Sequence, residues 1–252
     1  MTRAVRAFRL ALASLTIFPV PIRGDEATPA RRADARFAYP VVGALIGLIL
    51  AALSEALTAN GTSSGLSAFL LVATLAILSG GLHLDDLAET ADGLLLRGDP
   101  ARRLAAMRDP HLSSFGVSTL ILVLVGKFAA IEGLGGTSRA LVLLAAPMVA
   151  RSLVLVSAGL APPARPDGTG RFLIQATTPR DAGWGGVLVL GVGSLACGGP
   201  GLMAALGSLS VAMILTRSAR HKIGGVTGDT LGALIELAEL TFLAVVGLAV
   251  AR

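Results

Sequence analysis

Apolar residues in this chain form long blocks rather than the strict alternation that is typical of a half-buried strand. A helix of about 20 apolar residues is long enough to cross the hydrocarbon core of a bilayer. Seven blocks of roughly this length follow one another: 38–58, 65–82, 114–131, 137–160, 183–198, 200–215 and 230–251. The pattern predicts an all-α fold, a polytopic integral membrane bundle of about seven transmembrane helices, in which residues 1–252 form a single membrane domain.

Two parts of the chain do not have the pattern of a simple membrane span. The fifth and sixth blocks are short, and only the run GGPG at 198–201 separates them, so they form either a tight helical hairpin or a re-entrant pair. Within residues 1–37, three arginines precede a short apolar stretch that stops at the prolines of FPVP. This segment predicts a helix at the membrane interface in preference to a cleaved signal peptide.

The composition agrees with lipid as the solvent. Apolar residues make up 54% of the chain and charged residues 15%, against about 45–50% and about 25% in soluble domains. A soluble globule and a disordered chain are excluded, and the single cysteine, Cys197, excludes a disulfide scaffold. The net charge of +5 would suit nucleic acid, but one Trp, one Tyr and eight Phe offer few stacking surfaces. Membrane lipid is therefore the expected partner, and no nucleic acid is expected.

Lysine and arginine are concentrated in every second connection. Of the 21 basic residues, 17 lie in residues 1–37 and in the connections 83–113, 161–182 and 216–229. Twelve of the 16 acidic residues lie in the same four segments. The positive-inside rule predicts that these segments face the cytoplasm.

Two basic residues, Lys127 and Arg151, lie inside apolar blocks. Each would cost roughly 2.5–3.5 kcal/mol on insertion if it faced lipid, so both are expected to face protein or a wet cavity. Glu236 and Glu239 are three residues apart on one face of the last block and are the expected partners. These four residues form either an interhelical ion pair without chemistry or part of a functional site.

The densest acidic group lies in SGGLHLDDLAETADGLLLRGD, residues 79–99. On a helix, Asp85, Glu89 and Asp92 fall within an arc of about 60°. Mutual repulsion of such carboxylates is relieved by a hard divalent cation such as Mg²⁺. Asp86 points about 100° away from Asp85 and is an alternative ligand or a supporting residue. The alternative to a metal site is a solvated acidic face.

Two glycine-rich segments follow in the other basic connections. ARPDGTGRF, residues 164–172, combines Arg165, Asp167 and Arg171 with a turn that suits an anionic group. IGGVTGDTLGA, residues 223–233, comes just before an apolar helix with Asp229 or Thr230 at its expected N-cap. Arg108, in MRDPHLSSFG, is a further phosphate-binding candidate. Each segment alone is also typical of a plain loop.

These motifs resemble those of the cobalamin synthase family, also called adenosylcobinamide-GDP ribazoletransferases. The resemblance covers nearly the whole chain and is most specific in two motifs, GGLHLDDLAETADGL at 80–94 and GGVTGDTLGALIELAEL at 224–240. FPVP, FAYPVVGALIG, MRDPHLSSFG and ARPDGTG add to it. The family implies an enzyme of the prokaryotic cytoplasmic (inner) membrane with a cytoplasmic active face. It uses Mg²⁺ to join adenosylcobinamide-GDP to α-ribazole, or to α-ribazole 5′-phosphate, and releases GMP.

The resemblance also implies roles for the residues already singled out. The expected metal ligands are Asp85, Asp86, Glu89 and Asp92. The expected catalytic residues are Asp85, Arg108 and Asp229, of which Asp229 is a second metal ligand or a base. The residues expected to bind substrate are Arg165, Asp167, Arg171, Gly224, Gly225, Thr227 and Gly228. A homo-oligomer is left open.

The chain departs from the family pattern at a few positions. Asp86 stands where the family has glycine and Glu89 where it has aspartate, while Pro110-His111 replaces Ser-Arg. Glu89 keeps a carboxylate, whereas Asp86 adds a charge and leaves the division of ligands open. Other functions are an intramembrane prenyltransferase or CDP-alcohol phosphotransferase, which use similar acidic motifs, and a membrane transporter with charged residues in its spans.

Overall fold

The computed structural model describes residues 2–22, 24, 28–135, 138–168 and 170–250. Within them the chain is all α-helical, as predicted, and a short 3-10 turn, Ala35–Ala38, connects the second and third helices. The helices are α1 Arg3–Leu15, α2 Pro29–Asp34, α3 Tyr39–Ala59, α4 Ser64–Leu78, α5 Leu82–Leu95, α6 Pro100–Ala106, α7 Ser114–Glu132, α8 Ser138–Leu160, α9 Gly170–Ala176, α10 Pro179–Ile223 and α11 Gly228–Val250. The predicted block ends at 137 and 251, and residues 1, 23 and 25–27 of the N-terminal segment, lie outside the described residues.

The chain has several helices that are long and apolar enough to cross a membrane. Five helices meet this requirement by length and composition: α3 with the residues before it, α7, α8, α10 and α11. Helices α4 and α5 are long enough to cross only when they are counted together as one span, and the two helices are bent by 86° relative to each other. The protein is therefore a multi-pass membrane protein. The predicted block 65–82 is wrong at its end, because Gly80 and Gly81 adopt positive φ and turn the chain after Leu78.

The long helix α10 contains a reversal of direction. Cys197 and Gly198 have non-helical backbone angles, and a Cβ built on Gly193 would lie 2.5 Å from the Gly201 carbonyl oxygen. In a continuous helix, residues eight positions apart are separated by about 12 Å. The stretch therefore folds back on itself, as both alternatives predicted for the fifth and sixth blocks, a helical hairpin and a re-entrant pair, require. Glycine at 193 and 201 allows the two arms to touch backbone to backbone.

Helix α8 lies at the centre of the bundle. Most of its side chains are buried, and α3, α10 and α11 pack around it. The approach of α3 depends on Gly43 and Gly47, where an added Cβ would lie 2.5 Å from the Pro147 carbonyl oxygen and 2.3 Å from that of Leu144. Small residues four positions apart allow this close backbone contact, which replaces the hydrophobic driving force that is absent between helices in lipid.

The charged residues of the membrane spans form one buried ion network. Lys127 Nζ lies 2.6 Å from carboxylate oxygens of both Glu236 and Glu239, and Arg151 Nη1 lies 2.6 Å from the other Glu239 oxygen. All four side chains are at most 5% exposed. The predicted pairing is confirmed, and it joins α7, α8 and α11 through two positive and two negative charges.

The four basic segments predicted to share one side of the membrane meet at one end of the bundle. Arg108 of the second segment pairs with Asp167 of the third, and Arg165 of the third pairs with Asp229 of the fourth. Arg36 of the first contacts Asp181 at the start of α10. Direct contacts therefore bring the four segments together at one end of the bundle, and the side of the membrane on which this end lies stays a prediction.

Basic residues at this end also bind the exposed carbonyl groups of helix ends. Arg103 and Lys222 both donate to the Leu94 carbonyl at the end of α5, at 2.9 Å. Arg220 donates to the Leu160 carbonyl at the end of α8. A helix C-terminus leaves carbonyls without intrahelical partners and carries a partial negative charge, so cations stabilise it.

The amphipathic helix α1 packs against the bundle through its apolar face. Leu10, Ala11 and Leu15 are buried, whereas Arg3 and Val5 are exposed. Beyond the helix, the Ile17 amide donates to the Leu78 carbonyl at 2.9 Å and fixes the chain to the end of α4. An amphipathic helix at this position agrees with the predicted interfacial segment, and its depth in a bilayer stays a prediction.

The buried network predicts a strong effect of a single charge on stability. Glu239→Gln leaves Arg151 without a carboxylate partner and Lys127 with one, so we expect the free energy of unfolding to fall by about 3–5 kcal/mol. Unfolding in mixed detergent and lipid micelles measures this. Glu132→Gln, an exposed position at the end of α7, is the matched control and should change it by less than about 0.5 kcal/mol. Equal stability of the two variants would contradict the account.

Candidate functional site

Three carboxylates from two helices converge at the basic end of the bundle. Asp86 and Glu89 lie one turn apart on α5, and Asp229 lies in the first turn of α11. One oxygen from each lies within 4.8 Å of the others. None is fully exposed. Hard carboxylate oxygens at such spacing are the donors that Mg²⁺ prefers, so this cluster could hold a divalent cation.

The close contact between α5 and α11 depends on Gly232. A Cβ at this position would lie 1.8 Å from Asp86 Oδ2 and would overlap its carboxylate. Glycine on α11 therefore leaves the space that the Asp86 side chain occupies. Behind Asp86, the buried ring of His83 places Nδ1 at 3.4 Å from the same oxygen.

Asp92, predicted to share the metal face with Asp85 and Glu89, instead accepts hydrogen bonds from the start of α7. Its Oδ1 accepts from the Gly116 amide at 2.6 Å and from the Ser113 hydroxyl, and its Oδ2 accepts from the Ser113 amide at 2.9 Å. Asp92 thus fixes the start of α7 to α5 and is separate from the cluster. This predicted ligand therefore lies outside the group of three clustered carboxylates, because one more turn along α5 brings Asp92 opposite α7.

Asp85 lies at the rim of the cluster. Its side chain is exposed, yet its charge acts on both Asp86 and Glu89. Repulsion among these four carboxylates, counting Asp229, is the electrostatic situation that a bound cation relieves.

The start of α11 holds Asp229 in place. The helix begins at Gly228, so Thr227 occupies the N-cap position, and its hydroxyl accepts from the Thr230 amide at 3.2 Å. In return the Thr230 hydroxyl accepts from the Thr227 amide at 2.8 Å. The predicted cap at Asp229 or Thr230 is therefore wrong by two or three residues. Because Thr227 is the cap, the Asp229 carboxylate is not needed for capping and faces both the cluster and Arg165.

The two predicted glycine-rich segments are joined to each other. Gly224 ends α10 with φ of +83°, and the next residue, Gly225, would clash with the Pro162 carbonyl if it carried a Cβ. Two backbone hydrogen bonds follow, from Ala164 to the Val226 carbonyl at 2.8 Å and from Val226 to the Pro162 carbonyl at 2.9 Å. Both segments therefore border one site.

A small basic cavity lies between these segments. It has a volume of about 110 Å³ and is lined by Arg165, Asp167 and Arg171 together with Thr227 and Gly228. These are five of the seven predicted substrate-binding residues, whereas Gly224 and Gly225 build the turn beside it. Thr169, of the same glycine-rich segment, lies outside the described residues.

The arginines of this cavity keep donors for an anion. Arg165 donates from Nη2 to Asp229 at 2.5 Å, while its Nη1 is buried without a hydrogen-bond partner among the described residues. Arg171 donates to the Pro166 carbonyl, and its Nε is also buried without a hydrogen-bond partner among the described residues. An arginine fork beside a helix N-terminus is suited to phosphate oxygens.

Arg108 lies at the outer edge of the same region. It contacts both Asp167 oxygens at 2.5 Å, and this bond lowers the pKa of Asp167, which stays ionised at neutral pH. Both side chains are more than half exposed. Arg108, predicted from sequence as a phosphate ligand, is therefore close to Arg165 at the surface, and a groove lined by both leads outward.

A larger cavity on the other side of Asp229 was not predicted. Its volume is about 540 Å³, and its walls come from α1, α5, α9 and α11. Asp86 and His83 lie at its polar end, and Gly170, Gly228 and Asp229 border both cavities. Sequence patterns could not indicate it, because its walls are apolar side chains from distant segments.

The chain is similar to proteins of known name along nearly its whole length. The family model described as cobalamin-5-phosphate synthase matches residues 7–247. A Pseudomonas aeruginosa protein named adenosylcobinamide-GDP ribazoletransferase is 40% identical, with 98% of this chain and 100% of the relative covered. A Pseudomonas putida protein of the same name is 41% identical over 96% and 98% of the two chains. No solved structure matches significantly. The chain therefore belongs to the cobalamin-5-phosphate synthase family.

Proposed function

We propose that this protein is an adenosylcobinamide-GDP ribazoletransferase that acts with Mg²⁺. It joins adenosylcobinamide-GDP to α-ribazole, or to α-ribazole 5′-phosphate, with release of GMP, in the final assembly of cobalamin. The observation that carries the proposal is the meeting of Asp86, Glu89 and Asp229 with the arginines of the basic cavity. Relatives about 40% identical over nearly the full chain carry the same enzyme name.

The three clustered carboxylates are the residues that would hold the cation. Asp86 and Glu89 approach from α5 and Asp229 from α11. When bound, Mg²⁺ supplies neutralisation of charge on the substrate's diphosphate. Asp229 also accepts from Arg165 and from the Thr227 hydroxyl, which hold its orientation.

The basic cavity is suited to the phosphates of the GDP portion. Arg165 and Arg171 both line this cavity, which the N-terminus of α11 borders, and each has a buried nitrogen without a hydrogen-bond partner among the described residues. Arg108 lines the outer groove, where it is suited to bind phosphate oxygens of the substrate that extend toward the surface. Binding both phosphates between cations and backbone amides aligns the reacting phosphorus, and alignment with charge stabilisation accounts for most catalysis in phosphoryl transfer.

The reaction is a substitution at phosphorus. A ribose hydroxyl oxygen of α-ribazole forms a bond to the phosphorus attached to cobinamide, and the bond from that phosphorus to the GMP oxygen breaks. The hydroxyl proton passes to a carboxylate, and GMP leaves as the anion.

Placement in the cytoplasmic (inner) membrane of a prokaryote, with the site on the cytoplasmic face, is part of the proposal. The segments that the positive-inside rule assigns to the cytoplasm meet around this site. Charged residues in the spans, which had suggested a transporter, are paired with one another in the buried network.

The proposed activity predicts that GMP is released and that removing the charge of Glu89 slows this release. Purified protein incubated with adenosylcobinamide-GDP, α-ribazole and Mg²⁺ should release GMP. Glu89→Gln, which keeps the size but removes the charge, should reduce turnover about 100-fold or more, because it removes a proposed cation ligand. Glu55→Gln, an exposed carboxylate on α3, is the control. Failure of folded protein to release GMP would exclude the function, and normal turnover by Glu89→Gln would exclude the cluster.

The proposed orientation predicts a labelling pattern. In a Cys197→Ser background, a membrane-impermeant maleimide should label Asn60→Cys in intact cells, and Arg97→Cys only after the membrane is opened. Both residues are exposed, so access depends on the side of the membrane. The reverse pattern would place the site outside the cytoplasm.

A further inference from the structure

The larger cavity has a lining that differs from the rest of the site. Its walls come mostly from apolar side chains of α1, α9 and α11, with the chain's single tyrosine, Tyr39, among them. The apolar lining residues include Leu10, Ala13, Leu15, Ile22, Leu82, Val154, Leu173, Leu231 and Ile235. Such a lining favours a neutral, apolar group, with specificity supplied by a few polar atoms.

The polar groups that line this cavity include two carboxylates of the cluster and the side chain of Arg32. Asp86 and Asp229 both line the cavity, and the backbone at Gly170 and Gly228 separates it from the basic cavity. A Cβ on Gly170 would lie 2.8 Å from the Gly228 Cα, so only the backbone of these two glycines lies between the two cavities at this point. A group in the apolar cavity and phosphates in the basic cavity would therefore meet at Asp229.

Size and lining separate the possible occupants. The outer groove, at about 600 Å³, is open to the surface, and its charged lining residues are Arg108, Arg165 and Asp167. The basic cavity, at about 110 Å³, is too small for a nucleoside. The apolar cavity, at about 540 Å³, lies within the roughly 300–1,000 Å³ of pockets that bind small molecules. Of the two substrates in the proposed function, the corrinoid is large and carries the anionic diphosphate. α-Ribazole is a flat bicyclic aromatic base with one ribose.

We infer that the apolar cavity binds α-ribazole, with the benzimidazole base among the apolar side chains and a ribose hydroxyl directed at Asp86 and Asp229; this rests on the proposed function. The corrinoid then remains outside the bundle, and only its diphosphate enters the basic cavity. The hydroxyl and the phosphorus then meet at Asp229, where the hydroxyl oxygen attacks the phosphorus on the side opposite the bond to the GMP oxygen.

The inference gives α1 a direct role in binding substrate. Ala13 and Ser14 are exposed and also line the cavity, so they lie at its mouth. A larger side chain at either position would enter the cavity without replacing a buried core residue. Ala4, on the same helix, is exposed but lies away from the cavity.

Ala13→Trp tests this, with Ala4→Trp as the matched control and Ser14→Phe as a second filling variant. We expect both filling variants to raise the KM for α-ribazole about tenfold or more, because loss of fit in an apolar pocket has effects of this size. The KM for adenosylcobinamide-GDP should stay within about twofold, as should both constants of Ala4→Trp. Calorimetry with α-ribazole alone gives the same comparison without turnover.

The outcomes separate the two proposals. Absence of turnover in wild-type protein that still binds α-ribazole, with weaker binding in the filling variants, would reject the proposed function and keep the cavity assignment. A raised KM for adenosylcobinamide-GDP alone would overturn the assignment and give the cavity to the corrinoid. Unchanged α-ribazole binding with loss of co-purified phospholipid would also overturn it, since a lipid chain would then be the occupant.

Discussion

The contact between α5 and α11 positions the carboxylates of the candidate site. Asp86 lies against the backbone of α11 because residue 232 is glycine, and this approach brings Glu89 and Asp229 within the same few ångströms. A side chain at residue 232 would separate the helices and disperse the cluster. The cluster therefore depends on one close backbone contact, not on the acidic residues of α5 alone.

Two groups of charged residues organise this membrane protein. Within the spans, Lys127, Arg151, Glu236 and Glu239 neutralise one another across α7, α8 and α11, so no charge of the network faces lipid. At one end of the bundle, several other cations bind helix carbonyls or carboxylates, as Lys222 does at the end of α5. The network stabilises α11 from inside, and α11 in turn carries Asp229 and Gly232 to the site.

Much of the architecture could be predicted from the sequence, because burial in lipid requires long apolar blocks and paired charges. The partners of Lys127 and Arg151 and the helical hairpin in α10 were of this kind. Angular spacing on α5 gave the relative directions of its acids. It could not give the rotation of α5 against its neighbours, so Asp92 was placed on the metal face and Asp86 was only an alternative ligand or a supporting residue. Packing against α7 and α11 decides that rotation.

Other features depended on contacts between distant segments. Thr227 caps α11, although Asp229 is an equally good capping residue by type, because reciprocal bonds with Thr230 are available only there. The apolar cavity joins α1 to α11 across more than two hundred residues, and no local pattern marks such a wall. Candidate residues for the chemistry could be predicted from the sequence, whereas their grouping required the fold.

Binding of Mn²⁺, followed by electron paramagnetic resonance, tests the central claim that Asp86, Glu89 and Asp229 form a cation site. We expect wild-type protein to bind Mn²⁺, and the double variant Asp86→Asn, Glu89→Gln to bind it at least about tenfold more weakly. Asp92→Asn, if folded, should bind Mn²⁺ as wild type does, because its carboxylate caps α7. Wild-type affinity in the double variant, or loss of binding in folded Asp92→Asn, would contradict the account.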